Sequence, residues 1–116
     1  MAVEPSDLAR LNDMLKAACA VSRYIAGKAL ADYLGDDMLR SAVERQLEIV
    51  GEAARNVSKP FCQQHPEVPW SLIVGQRHVL SHDYGEIQDE RVWHTAFSDI
   101  PDLIPLIEKL LAPLPK

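Results

Sequence analysis

The chain has no long hydrophobic run. Nothing in it approaches the roughly 18 apolar residues that a membrane span requires, so no spanning helix is expected. A secretory leader is not legible either. The N-terminus, MAVEPSDLAR, carries acids where a leader is basic, and no apolar stretch follows. Cysteine is scarce: Cys19 and Cys62 stand far apart, with no CxxC pairing, each beside apolar neighbours. Two buried thiols and a reducing, cytoplasmic setting are therefore expected. An excess of basic residues is missing as well. Twelve Lys and Arg against 17 Asp and Glu leave a net charge of −5. That argues against a general nucleic-acid coat, which needs a basic surface, but leaves room for an enzyme with one local basic cleft.

Repeats, low-complexity tracts and composition shifts are also lacking, so residues 1–116 are expected to form one domain. A chain of this length can bury roughly two thirds of its unfolded surface and needs no disulfide or metal to fold. What is present is helical periodicity. Leu8, Leu11, Leu15, Ala18 and Ile25 recur at helical spacing, after a candidate N-cap at Asp7, and Tyr33-Leu34-Gly35 closes this first segment. A second helix starts at Asp36 or Asp37. It carries Leu39, Val43, Leu47, Val50, Ala54 and Val57 on one face and a solvated charged face opposite, and it ends at Lys59-Pro60. After a connector, Pro69 opens a third helix through Ser81, terminated near Gly85. A fourth, after Asp89 as N-cap, has Trp93, Ala96, Phe97, Ile100, Ile104, Ile107 and Leu111 as its stripe. Pro101 and Pro105 predict a break or kink near Ser98–Asp102.

Chemistry concentrates in the third helix. An apolar run there suddenly carries Arg77, His78, His82 and Tyr84. His78 and His82 fall one turn apart on one face, whereas His82 lies about 140° round the helix from Arg77. One helix cannot aim both Arg77 and His82 at one atom, but two copies facing each other can. Three readings fit these residues. In the first, Arg77 is simply paired with an acid of the second helix such as Glu52. In the second, His78 and His82 bind a metal, although no third ligand accompanies them. In the third, a histidine moves protons and an arginine holds a phosphate.

Arg77-x4-His82-x-Tyr84, the Gly51-Glu52-Ala53 segment, Trp70 opening the motif helix and Val92-Trp93 in the last helix together resemble the HepT-like branch of the HEPN superfamily, from about Asp7 to Leu111. The resemblance implies an all-α antiparallel bundle of four to five helices that forms a homodimer around the motif helix. It implies a metal-independent endoribonuclease with no cofactor. Such a protein is the toxin of a type VII-like toxin–antitoxin pair, whose partner is a minimal nucleotidyltransferase of the MntA type. By that resemblance Arg77 and His82 are the catalytic pair and His78 is a supporting polar residue, standing where the family usually has Asn. Tyr84 is the residue onto which the partner transfers AMP to silence the toxin. RNA suits this pair, because its 2′-hydroxyl can attack the neighbouring phosphate with only a proton shuttle and a cation supplied. The alternative is a non-catalytic member of the fold that binds a nucleotide or the partner.

Overall fold

The computed structural model describes residues 4–75 and 86–112. Helix α1 (Pro5–Ile25) begins with proline in its first turn, where a missing N–H leaves no hydrogen bond unmade. It stops before Gly27, whose φ of +74° is a left-handed turn that side-chain-bearing residues rarely adopt. The turn leads into a short helix, α2 (Leu30–Leu34), where the Asp32 carboxylate accepts the Ala29 N–H at 2.8 Å. Helix α3 (Asp37–Arg55) is capped by Asp36, whose carboxylate accepts the Leu39 N–H at 3.0 Å. Helix α4 (Lys59–Gln64) follows at once, capped by the Ser58 hydroxyl. Residues 70–75 are helical and are labelled α5. Helix α6 (Glu86–His94) runs into a π-helical turn, Thr95–Asp99, and on into α7 (Ile100–Leu111). Among the described residues there is no strand, so the class is all-α as expected.

Helix α1 packs mainly on α3 and α7. Leu11, Met14, Ala18, Val21 and Ile25 meet Val43, Leu47 and Val50 of α3 and Ile100, Leu103 and Ile107 of α7, all buried. Each large side chain so buried contributes roughly 1.5–3 kcal/mol. Ala17, Gly51, Ala53 and Ala54 are buried too, which keeps the helices close.

Several boundaries differ from the sequence expectation, each for a physical reason. Asp7 does not cap α1. It lies inside the helix, buried, because its carboxylate is held by Ser58. Leu8 is 41% exposed rather than core, since Asp7 and Leu11 define the inward face. Tyr33-Leu34 forms α2 instead of a closing turn. Lys59-Pro60 starts a helix rather than ending one, because proline is tolerated in a first turn and Ser58 supplies the cap. Asp89 is inside α6, not before it. The irregularity expected near Ser98–Asp102 is the π-helical turn Thr95–Asp99, and the helical run continues through it. Pro101 sits in the first turn of α7, where the preceding wide π turn absorbs its missing donor, and Pro105 is carried within the helix. Both cysteines are half-buried, not fully buried. No helix among the described residues is long and apolar enough to cross a membrane.

Candidate functional site

The entry to the motif segment is firmly tied. Val68 is buried, and the Trp70 indole N–H donates to the His65 carbonyl at 3.0 Å. The Trp70 ring stands edge-on to Phe61, with centroids 6.3 Å apart, and the His65 ring also lies against Phe61, at 4.4 Å. The Ile73 N–H bonds the Pro69 carbonyl at 3.0 Å and starts the α5 ladder. Arg77, His78, His82 and Tyr84 all lie outside the described residues, as does the expected end of the helix at Gly85. Their mutual placement is therefore an expectation from spacing.

Glu52, the remaining site candidate, is on the outer face of α3. Its carboxylate lies 4.0 Å from the Arg55 guanidinium and accepts from the Asn56 amide at 3.3 Å. With Arg10, Asp13, Arg45 and Glu48 it lines a shallow polar depression between α1 and α3. Arg45 reaches Glu48 at 3.5 Å. The repulsion expected along the Glu44, Glu48, Glu52 row is thus relieved by neighbouring arginines. Among the described residues no three His, Cys, Asp or Glu side chains gather as metal ligands.

At the exit from the motif segment the structure reveals a polar cluster that periodicity assigned to solvent. Arg40 donates to the Tyr33 carbonyl at 3.2 Å and also to the Leu34 carbonyl, and pairs with Asp37. Its Nε lies 3.8 Å from the Asp89 carboxylate, so one guanidinium joins α2, α3 and α6. Beside it Glu44 has its pKa raised, by burial first and then by Asp89, against the opposing pull of Arg40. Tyr33 is fully buried and its hydroxyl has no hydrogen-bond partner among the described residues. Burial first, then Glu44 and Asp89, push its pKa well above the usual phenol range. A phenol kept so far from ionising stays neutral. The signal available in the sequence was weak: Arg40 and Glu44 share a face four residues apart, and nothing in the spacing says that α6 returns to cover it.

Tyr33 also begins an aromatic ladder. Trp93 lies 5.5 Å from it at 44°, and Phe97 stacks on Trp93 at 5.5 Å and 18°. The sequence expectation places Phe97 in the core stripe, yet it is 61% exposed. The π turn is the reason. It widens the helix, so Ala96 and Ile100 take the inward positions and Phe97 is turned out. A second apolar surface, a cavity of about 170 Å³ lined by Leu47, Val50, Leu72, Ile73, Ile100 and Leu103, opens between α3, α5 and α7.

The sequence model of the ribonuclease HepT-like family matches residues 14–110. The chain belongs to the ribonuclease HepT-like family. Among its relatives is a protein of Thermococcus cleftensis bearing the name ribonuclease HepT, 35% identical over 100 residues, covering 86% of this chain and 91% of the relative. A protein of Caldanaerobacter subterraneus subsp. tengcongensis, named as an RNase, is 36% identical over 87 residues, or 75% of this chain and 78% of that one. Another so named, from Methanocaldococcus jannaschii, is 34% identical over 98 residues, covering 84% and 90%. No solved structure matches the chain significantly. The HepT-like match runs from before α3 to within α7, so Arg77, His78, His82 and Tyr84 all fall within its bounds in sequence.

Proposed function

We propose that this chain is a metal-independent endoribonuclease acting as the toxin of a toxin–antitoxin pair, with Arg77 and His82 as its catalytic residues. Membership in a family of ribonucleases makes it a ribonuclease, and that match over residues 14–110 is the observation that carries the reading. RNA is the substrate. The 2′-hydroxyl attacks the adjacent phosphorus, its oxygen–phosphorus bond forms, and the bond to the 5′-oxygen of the next nucleotide breaks. His82 moves the proton, since imidazole titrates near neutral pH. Arg77 neutralises charge on the phosphorane, which a planar, permanently charged guanidinium does well. His78 supports the pair, and Glu52 is a candidate to orient Arg77 from α3.

The site is completed by a second copy of the chain. The five-residue spacing of Arg77 and His82 supports this, because on a helix it would set them about 140° apart, and two facing helices can converge what one cannot. The apolar cavity beside α5, with Leu72 59% exposed at its edge, supplies surface for such a contact. The regulatory partner is a minimal nucleotidyltransferase that places AMP on Tyr84. The added phosphate repels RNA and the nucleoside blocks its approach.

Induced expression of the chain alone, and together with a cognate minimal nucleotidyltransferase, tests this reading. Growth arrest by the chain, relief by the partner and loss of arrest in His82→Ala are expected. A chain that is harmless alone, or a His82→Ala variant as toxic as the wild type, would overturn it. Light scattering should give twice the chain mass of 13.0 kDa.

A further inference from the structure

The ladder of Tyr33, Trp93 and Phe97 ends in the open. Its inner ring is fully buried, its middle ring is half-buried, and its outer ring is 61% exposed. One face of Phe97 lies on Trp93 at an interplanar angle of 18°, which leaves the other face to the surroundings. An exposed phenylalanine at the end of a rigid stack is not explained by the core, because Ala96 and Ile100 beside it fill the inward positions. It is turned outward by a π-helical turn, and such turns are kept mostly at functional places because they disrupt regular hydrogen bonding. The stack also lies on the helical run that leaves the motif segment. Roughly 16 Å of helix separates Glu86 from Phe97.

We propose that Phe97, backed by Trp93, is a stacking platform for an unpaired nucleobase of the RNA substrate, away from the reacting phosphate. The proposal rests on the ribonuclease reading and deepens it. Charge is its second support. A chain with a net charge of −5 has no general basic surface for a run of phosphates, so contacts other than phosphate neutralisation matter more to its hold on RNA. Aromatic stacking is the alternative that single-stranded RNA offers, since every base has a flat apolar face and the stack tolerates any sequence. The charges near Phe97 are mixed, with Glu90, Asp99 and Asp102 against Arg91 and His94, so the contact is one of stacking rather than of phosphate pairing. His94, one turn before Phe97 and on the open side, carries its ring 3.9 Å from Asp99, and Arg91 precedes it in the last turn of α6. Trp93 fixes the Phe97 ring before any base arrives, so little side-chain freedom is lost on stacking. The site therefore selects unpaired over duplex RNA, because bases inside a helix already stack on each other.

The test uses the full chain and a short fluorescent single-stranded RNA of mixed sequence, with its duplex as control. Binding is followed by anisotropy at low and moderate salt, and cleavage by KM and kcat. Phe97→Ala should weaken single-strand binding roughly ten- to a hundredfold, by the usual contribution of one stacked base. The loss should be similar at both salt concentrations and should fall on KM rather than kcat. Phe97→Trp should restore binding, whereas Phe97→Leu, apolar but not flat, should not. Binding by Phe97→Leu equal to that of the wild type would overturn the platform. So would conversion of Phe97→Ala to a monomer in light scattering, which would make Phe97 a contact between subunits. A wild-type chain that neither binds nor cuts RNA would remove the ribonuclease reading and the platform together, a result distinct from either.

Discussion

Asp7 and Ser58, 51 residues apart, are joined at two points. One carboxylate oxygen of Asp7 accepts the Ser58 backbone N–H at 2.8 Å, and the other accepts its hydroxyl at 2.7 Å. The carboxylate is only 2% exposed. The same hydroxyl accepts the Phe61 N–H and caps α4, so the start of α1 sets where the chain turns after α3. That turn leads to Phe61, against which Trp70 packs at the head of α5.

Removing this tie should destabilise the fold without touching the chemistry. Asp7→Ala loses two charge-assisted hydrogen bonds, at about 2 kcal/mol. Asp7→Asn keeps one acceptor for the Ser58 N–H and should lose about half as much. Urea unfolding followed by circular dichroism would measure both. Equal midpoints for Asp7→Ala and the wild type would show that the tie contributes nothing.

Glu44 should make stability depend on pH in a definite direction. Its pKa is raised in the folded chain by burial and by Asp89, so its ionised form is less at ease there than in the unfolded chain. The resulting penalty is absent below the ordinary Glu value of about 4.3 and is complete above the raised folded value. Glu44→Gln should therefore raise the thermal midpoint at pH 7, and the gain should vanish near about pH 3.5. A variant less stable than the wild type at pH 7 would mean that the pull of Arg40 on Glu44 outweighs burial.

These two sites mark the limit of what periodicity conveys. The stripes Leu11, Ala18, Ile25 and Val43, Leu47, Val50 are legible because burial repeats with the helical turn, and all six are in the core. The start of α3 at Asp36–Asp37 and the all-α class are legible for similar local reasons. Asp7 reads as a cap because its partner is 51 residues away. Arg40 reads as solvated because α6 covers it only after the chain returns, and Phe97 reads as core because Pro101 signals an irregularity nearby without saying that it is a π turn that shifts the helical face. Of the candidate site, the residue types at 77, 78, 82 and 84 are legible in the spacing, while their convergence depends on tertiary and subunit geometry that spacing does not encode.

Tyr84 is expected to be the sole tyrosine modified by the partner nucleotidyltransferase with ATP and Mg²⁺. Tyr33 is fully buried beneath Trp93 and out of reach of a second protein. Tyr24 is 36% exposed and so is a fair accessible control. Peptide mass spectrometry should locate AMP on Tyr84, and Tyr84→Phe should resist modification while remaining folded. AMP on Tyr24 with none on Tyr84 would remove the regulatory half of the account.

The central claim, that Arg77 and His82 cut RNA without a metal, is most directly tested by cleavage of single-stranded RNA in EDTA by purified wild-type, Arg77→Ala and His82→Ala chains. Each must be shown by circular dichroism to be helical. The wild type should cleave undiminished by the chelator. Each variant should lose at least about a hundredfold in rate, the lower range for removing a proton-transfer group or a charge stabiliser. Cleavage that disappears in EDTA and returns with Mg²⁺, or a folded His82→Ala chain that cuts as fast as the wild type, would contradict the account.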